Sequence, residues 1–178
     1  MSKQELVQKR KENPMQKVKL EKVVLSCGAT GPNLEKAKKL LEMITERKAQ
    51  ILESGPKRRI PNFGVKPSMP LGTSVTLRGT SASEILKRLL GAIDNKLRKK
   101  QIAENSFSFG IHEYIEIPEI EYQREIGIRG LNVTACFIRA GIRIKRKKIK
   151  IGKVPKRQHV KPNEIIQFME ENFSTEVI

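Results

Sequence analysis

Residues 56–79 read Pro56-Lys-Arg-Arg-Ile-Pro-Asn-Phe-Gly-Val-Lys-Pro-Ser-Met-Pro-Leu-Gly-Thr-Ser-Val-Thr-Leu-Arg-Gly79, a basic, proline-studded loop running into an alternating strand. In the strand half, Leu71, Val75 and Leu77 fall on one face and Ser74, Thr76 and Arg78 on the other. A period of two assigns one face to a core and the other to solvent or a ligand. In the loop half, Lys57, Arg58, Arg59 and Lys66 supply charge, Pro56, Pro61, Pro67 and Pro70 stiffen the chain, and Phe63 adds one flat ring. No acidic residue interrupts the segment. Stiffness, charge and an aromatic together suit an RNA contact, while a solvated surface loop is the plainer reading.

Upstream of this segment, Met1 to Asn13 has the composition of a short charged helix stopped by Pro14, since a residue before proline is pushed out of the helical region. Val18, Leu20, Val23, Val24 and Leu25 predict a strand over 16–27, and Gly28 to Asn33 supplies turn chemistry. Leu34, Ala37, Leu40, Leu41 and Ile44 recur at helical spacing and predict a helix from Asn33 to about Lys48. Ala49 to Glu53 reads as a short strand.

Downstream, Ser81-Ala82-Ser83-Glu84 has capping-box spacing, and Ile85, Leu86, Leu89, Leu90, Ile93 and Leu97 predict one long helix to about Lys100. Three strand-like runs follow, Ser106 to Ile111, Glu113 to Ile117 and Leu131 to Ile138, and Pro162 opens a last amphipathic helix through Phe173. This order implies an α+β fold, an antiparallel sheet with helices packed on one face. The expected organisation is a core over 1–140 with a projecting loop over 55–70, then a basic extension and C-terminal helix over 141–178.

Lys and Arg number 36 against 19 Asp and Glu, a net charge of +17 on 178 residues. So large an excess calls for a polyanion, either nucleic acid or an anionic membrane. No apolar run approaches the roughly 18–20 residues that span a bilayer, and Met1 to Lys11 lacks a signal-peptide apolar core, so a soluble intracellular protein is expected. Gly141 to Lys161 alone carries ten Lys or Arg and no acid, a density that predicts partial disorder without RNA.

Catalytic groups are sparse. Asp94 is the only aspartate, and no nucleophile elbow or zinc-protease motif accompanies His112 or His159, which read as a structural strand residue and a solvated one. Cys27 and Cys136 lie in apolar runs without metal-ligand spacing and are expected as buried thiols. No cofactor and no metal are expected. Glu116, Glu119 and Glu121, in an acidic run with Glu113 and Glu125, form a negative patch suited to a basic protein partner or to steering RNA to the opposite face. With 4% aromatic residues and no tryptophan, backbone and shape recognition of folded RNA fits better than base stacking. Each phosphate neutralised would then add roughly 0.7–0.9 to the salt-dependence slope.

The chain resembles the L-five family of large-subunit ribosomal proteins. The matching segments are Asn13-Pro14-Met15 with Leu20 to Leu25, Ile60 to Phe63, Met69 to Gly72, Val75 to Gly79, Phe107 to Glu113 and Gly127 to Leu131, in family order and spacing. Ser26 to Gly31 after the first strand and the basic extension look like the archaeal and eukaryotic branch. Ser26 stands where bacterial members usually have asparagine, and Gly64-Val65 replaces a more basic pair. The resemblance implies a cytoplasmic, non-enzymatic ribosomal subunit that binds 5S rRNA and large-subunit rRNA in the central protuberance, beside other proteins there. It also implies a loop reaching P-site tRNA and a bridge to a small-subunit head protein.

By position, the resemblance matches Ser26 and Gly28 to a turn near rRNA, and Thr76 and Arg78 to the strand face turned to 5S rRNA, where Ser74 continues the alternation. It matches Arg58, Asn62 and Phe63 to the projecting loop, with Lys57, Arg59 and Lys66 beside them. Arg143, Lys145, Arg146, Lys147, Lys148, Lys156 and Arg157 are the further rRNA candidates of the basic extension. Two other readings stay open on the residues alone: an RNA-processing or modifying enzyme that uses the basic surface to hold substrate, and a general RNA chaperone.

Overall fold

The computed structural model describes residues 13–178; the helix expected over 1–13 lies almost wholly outside them. One sheet is built from β1 (Lys19–Gly28), β2 (Gln50–Glu53), β3 (Pro70–Leu77), β5 (Ile102–Ala103), β6 (Ser106–Ile111) and β7 (Leu131–Ile138). These six strands run in the order β2-β3-β1-β7-β6-β5, every pair antiparallel. A separate two-stranded parallel pair joins β4 (Lys96–Leu97) to β8 (Glu176–Val177).

Side-chain parity decides which face meets the helices. Val23, Leu25 and Cys27 of β1 oppose Leu77, Val75 and Thr73 of β3, and the first two also oppose Ala135 and Val133 of β7; all are buried. Onto this face pack α1 (Asn33–Thr45) through Leu34, Ala37, Leu40, Leu41 and Ile44, and α2 (Thr80–Gly91) through Ala82, Ile85, Leu86, Leu89 and Leu90. After the four-residue turn α3 (Arg143–Arg146), α4 (Pro162–Phe173) adds Ile165 and Met169 to the same core. The α+β architecture expected from the periodicities is therefore present.

An aromatic series knits α4 to the sheet. Phe107 of β6 stacks on Phe137 of β7 with ring centroids 5.8 Å apart, Phe137 meets Phe168 edge-on at 5.4 Å, and Phe168 approaches Phe173 at 6.4 Å. Offset and edge-on pairs of this kind add about 0.5–1.5 kcal/mol each beyond the area they bury.

Three local expectations are corrected. The helix begun at residue 80 stops at Gly91 instead of Lys100, because Asp94 and Asn95 take left-handed backbone angles (φ 53° and 57°). Leu97 then pairs with Val177 in β4–β8, so its helical spacing from Ile93 is incidental. Asp94 consequently sits in a turn. The Ser81–Glu84 capping box does not form; Ser83 Oγ donates instead to the Thr80 carbonyl at 2.7 Å. Residues 113–117 form a 3-10 turn over Tyr114–Glu116, which buries Tyr114 and Ile117 three positions apart, a spacing no strand can deliver to one face.

Candidate nucleic-acid interface

Among the described residues no helix packs on the opposite face of the sheet. Its register aligns Gln50, Ser74, Ser26, Asn132 and Gly110 in one row across five strands, with Thr76, Val24, Thr134 and Ser108 in the next. At the ordinary inter-strand spacing the first row spans about 19 Å and the second about 14 Å. None of these residues is buried, and none is charged. Of the expected rRNA residues, Ser26, Ser74 and Thr76 therefore stand together, with Gly28 at the end of β1 opposite Gly72. Gly72 cannot be enlarged without cost: a Cβ there would lie 2.8 Å from the Cys27 carbonyl oxygen.

Cations gather at one end of this uncharged field. Lys22 occupies the next row, opposite Cys136, and Arg78 directly follows β3. Arg78 and Arg146 both donate to the Glu21 carboxylate, so the structure brings one member of the basic segment to the sheet. Glu21 escaped the sequence reading, because nothing local distinguishes it from a solvated acid. Arg129 is a second residue so found: its guanidinium donates to Asn33 Oδ1 at 2.6 Å and to the Ile126 carbonyl at 3.3 Å, which sets it beside the N-terminus of α1.

The loop over 55–70 is organised by its own backbone. Ser54 N–H donates to the Met69 carbonyl at 2.8 Å across its base, and Ile60 and Val65 exchange two bonds of 3.1 Å near its tip. Between them Pro61–Phe63 makes a 3-10 turn, closed by Gly64 at φ 63°, where a Cβ would be strained. Lys57, Arg58, Arg59, Asn62 and Lys66 are exposed, Phe63 is 82% exposed, and none of these cations is ion-paired among the described residues. The loop is thus a stiff projection separate from the sheet rows.

The basic segment is fastened at both ends. Arg139, after β7, donates to both Glu164 carboxylate oxygens at 2.5 Å and to the Arg157 carbonyl, while Gln158 Nε2 donates to the Ala140 carbonyl at 2.8 Å. Asn105 receives Val160 N–H on its side chain and Phe137 N–H on its carbonyl. Between these ties, Arg143, Lys145, Lys147, Lys148, Lys156 and Arg157 are exposed, whereas Arg146 reaches Glu21.

Among the described residues the remaining titratable groups do not converge on one site. His112 is exposed in the bend after β6 and not in a strand as expected, and His159 lies 3.5 Å from Glu104. Burial raises the pKa of both thiols, Cys27 and Cys136, which keeps them protonated and poorly nucleophilic at neutral pH. Cys136 is half-buried instead of buried. Among the described residues no three His, Cys, Asp or Glu side chains converge as metal ligands, and no helix is long and apolar enough to cross a membrane. In the acidic stretch Glu125 pairs with Lys39 at 3.0 Å, which lowers its pKa, and Glu119 pairs with Arg88 at 3.6 Å.

The family model described as ribosomal protein L5 matches residues 13–66, and the model for the C-terminus of the same ribosomal family matches residues 70–155. The large ribosomal subunit protein uL5 of Nanoarchaeum equitans is 38% identical over 170 residues, spanning 94% of this chain and 99% of the relative. Its counterpart in Sulfurisphaera tokodaii is 37% identical over 170 residues, with 93% and 95% covered, and that of Methanosphaera stadtmanae is 34% identical over 168, with 93% and 99% covered. Matched in both halves of the family and along nearly its whole length by archaeal members, the chain belongs to the ribosomal protein L5 family, structural and non-enzymatic components of the large ribosomal subunit.

Proposed function

We propose that this ribosomal component binds 5S rRNA through the open sheet face and attaches it to large-subunit rRNA in the central protuberance, within the cytoplasmic ribosome. The observation that carries the reading is the pair of uncharged rows, Gln50–Ser74–Ser26–Asn132–Gly110 and Thr76–Val24–Thr134–Ser108, with Lys22 and Arg78 flanking one end. Short hydroxyl and amide side chains let an RNA helix approach closely and can bond 2′-hydroxyls and phosphates, which long cations across the middle would hold away. The exposed cations of residues 143–157 then serve large-subunit rRNA alongside it.

The projecting loop serves a second RNA. Its cations are unpaired among the described residues and Phe63 is open, which fits an approach to P-site tRNA. The acidic stretch from Glu113 to Glu125 fits a basic protein of the small-subunit head.

A competition assay tests the main reading: unlabelled 5S rRNA is expected to displace labelled 5S rRNA far better than an unrelated structured RNA does at matched salt. Equal displacement would sink it in favour of a general chaperone, and turnover of RNA by the pure protein, lost on changing His112, would favour an enzyme. Lys57→Ala with Arg58→Ala is expected to retain 5S affinity within about threefold, because the loop lies apart from the sheet rows, yet to impair tRNA-dependent ribosome function. A large loss of 5S affinity in that variant would refute the division between loop and sheet.

A further inference from the structure

We propose that Glu21 is a positioning residue for RNA: its carboxylate holds Arg78 of the sheet and Arg146 of the basic segment side by side as a grip for neighbouring backbone phosphates. The proposal rests on the reading of the sheet face as an RNA dock.

The geometry begins with a register shift. Leu20 pairs with Phe137 and Lys22 with Cys136, so Glu21 has no partner on β7 and is the extra residue of a bulge. A bulge re-aims the side chain it releases. Here the carboxylate is left only 10% exposed, with Oε1 accepting from Arg78 Nη1 at 3.5 Å and from Arg146 Nη2. The two arginines are themselves 58% and 48% exposed, and Lys22 lies beside them on the open face.

Two guanidinium groups repel, and two long side chains brought together lose rotamer freedom. A carboxylate between them offsets the repulsion and selects the rotamers before RNA arrives. Each guanidinium has five N–H donors in a planar fork, so one bond to Glu21 leaves donors free for a phosphate. Because Arg146 belongs to the segment fastened at residues 139–140 and 157–164, the same contact turns that segment toward the sheet face. One RNA strand can then meet both surfaces.

The sign of a charge change tests this. Glu21→Gln removes a negative charge from an RNA-binding face, so charge counting alone predicts tighter binding. Positioning predicts the opposite, about tenfold weaker 5S rRNA affinity, the loss of a charge-assisted contact. In the Glu21→Gln background, Arg146→Met should also cost less than it does in the unaltered protein. A companion comparison needs no change at Glu21: Arg146→Met and Lys148→Met remove equal charge from exposed positions, and the first should weaken binding several-fold more.

Equal losses for that pair, or unchanged or tighter binding by a folded Glu21→Gln variant, would overturn the inference. The unaltered protein run against unrelated structured RNA separates the two ideas. Absence of a 5S preference overturns the proposed function, while the sign of the Glu21→Gln effect is still read on whichever RNA the protein does bind.

Discussion

Ser26→Glu is expected to weaken 5S rRNA binding by at least about 100-fold while leaving the fold in place, since opposing like charges across an interface costs several kcal/mol and each 1.4 kcal/mol is tenfold. Ser26 lies near the centre of the long polar row, flanked by Ser74 on β3 and Asn132 on β7. Its side chain points away from the core, whose β1 contribution is Val23, Leu25 and Cys27. A glutamate there extends into solvent in the free protein, where surface changes stay within about 0.5 kcal/mol. In the complex it would set a carboxylate against the phosphate backbone with no cation on either side in its row. Filter binding at fixed salt, with a melting curve as fold control, reads both quantities. Affinity within threefold of the unaltered protein would move the 5S site off this face.

Cutting the tie between β7 and α4 should give the largest loss of stability. Arg139 is 10% exposed at its side chain, donates twice to Glu164, and has its Nε without a partner among the described residues. Glu164→Ala strands that guanidinium in a dry setting, at a cost of about 3 kcal/mol, near the lower end for a broken buried pair because Glu164 is itself 36% exposed. For a chain of this size the melting temperature should fall by about 6–12 °C. Replacing both partners by apolar residues, Arg139→Met with Glu164→Leu, should recover most of the loss, since no charge is then left buried alone. A melting temperature within 2 °C of the unaltered protein for Glu164→Ala alone would show that the pair holds nothing. The basic segment should also loosen in the single variant, because Arg139 and Glu164 close its ends.

Much of the fold was legible because burial imposes a period on each element. Val23, Leu25 and Cys27 alternate with Lys22, Val24 and Ser26, and Leu34 to Ile44 recur every three or four positions, so β1 and α1 stand within a few residues of their expected bounds. Periodicity misled at Leu97, whose burial comes from pairing with β8, some 80 positions later in the chain. It misled again at 113–117, where Glu113, Glu116 and the isoleucines imitate a strand that the buried Tyr114–Ile117 pair turns into a 3-10 helix.

By itself the sequence determined what is additive or local: a charge of +17 that calls for a polyanion, the elements with clean periods, and a strand presenting Ser74, Thr76 and Arg78 on one side. Tertiary structure alone decided which residues meet. Cross-strand register assembled Gln50, Ser74, Ser26, Asn132 and Gly110 into one row, a bulge turned Glu21 onto Arg78 and Arg146, and Arg139 with Glu164 made the basic segment a loop fastened at both ends. Such contacts join positions up to 125 apart in the chain, so they depend on how the strands pair and the helices pack, which no local composition records.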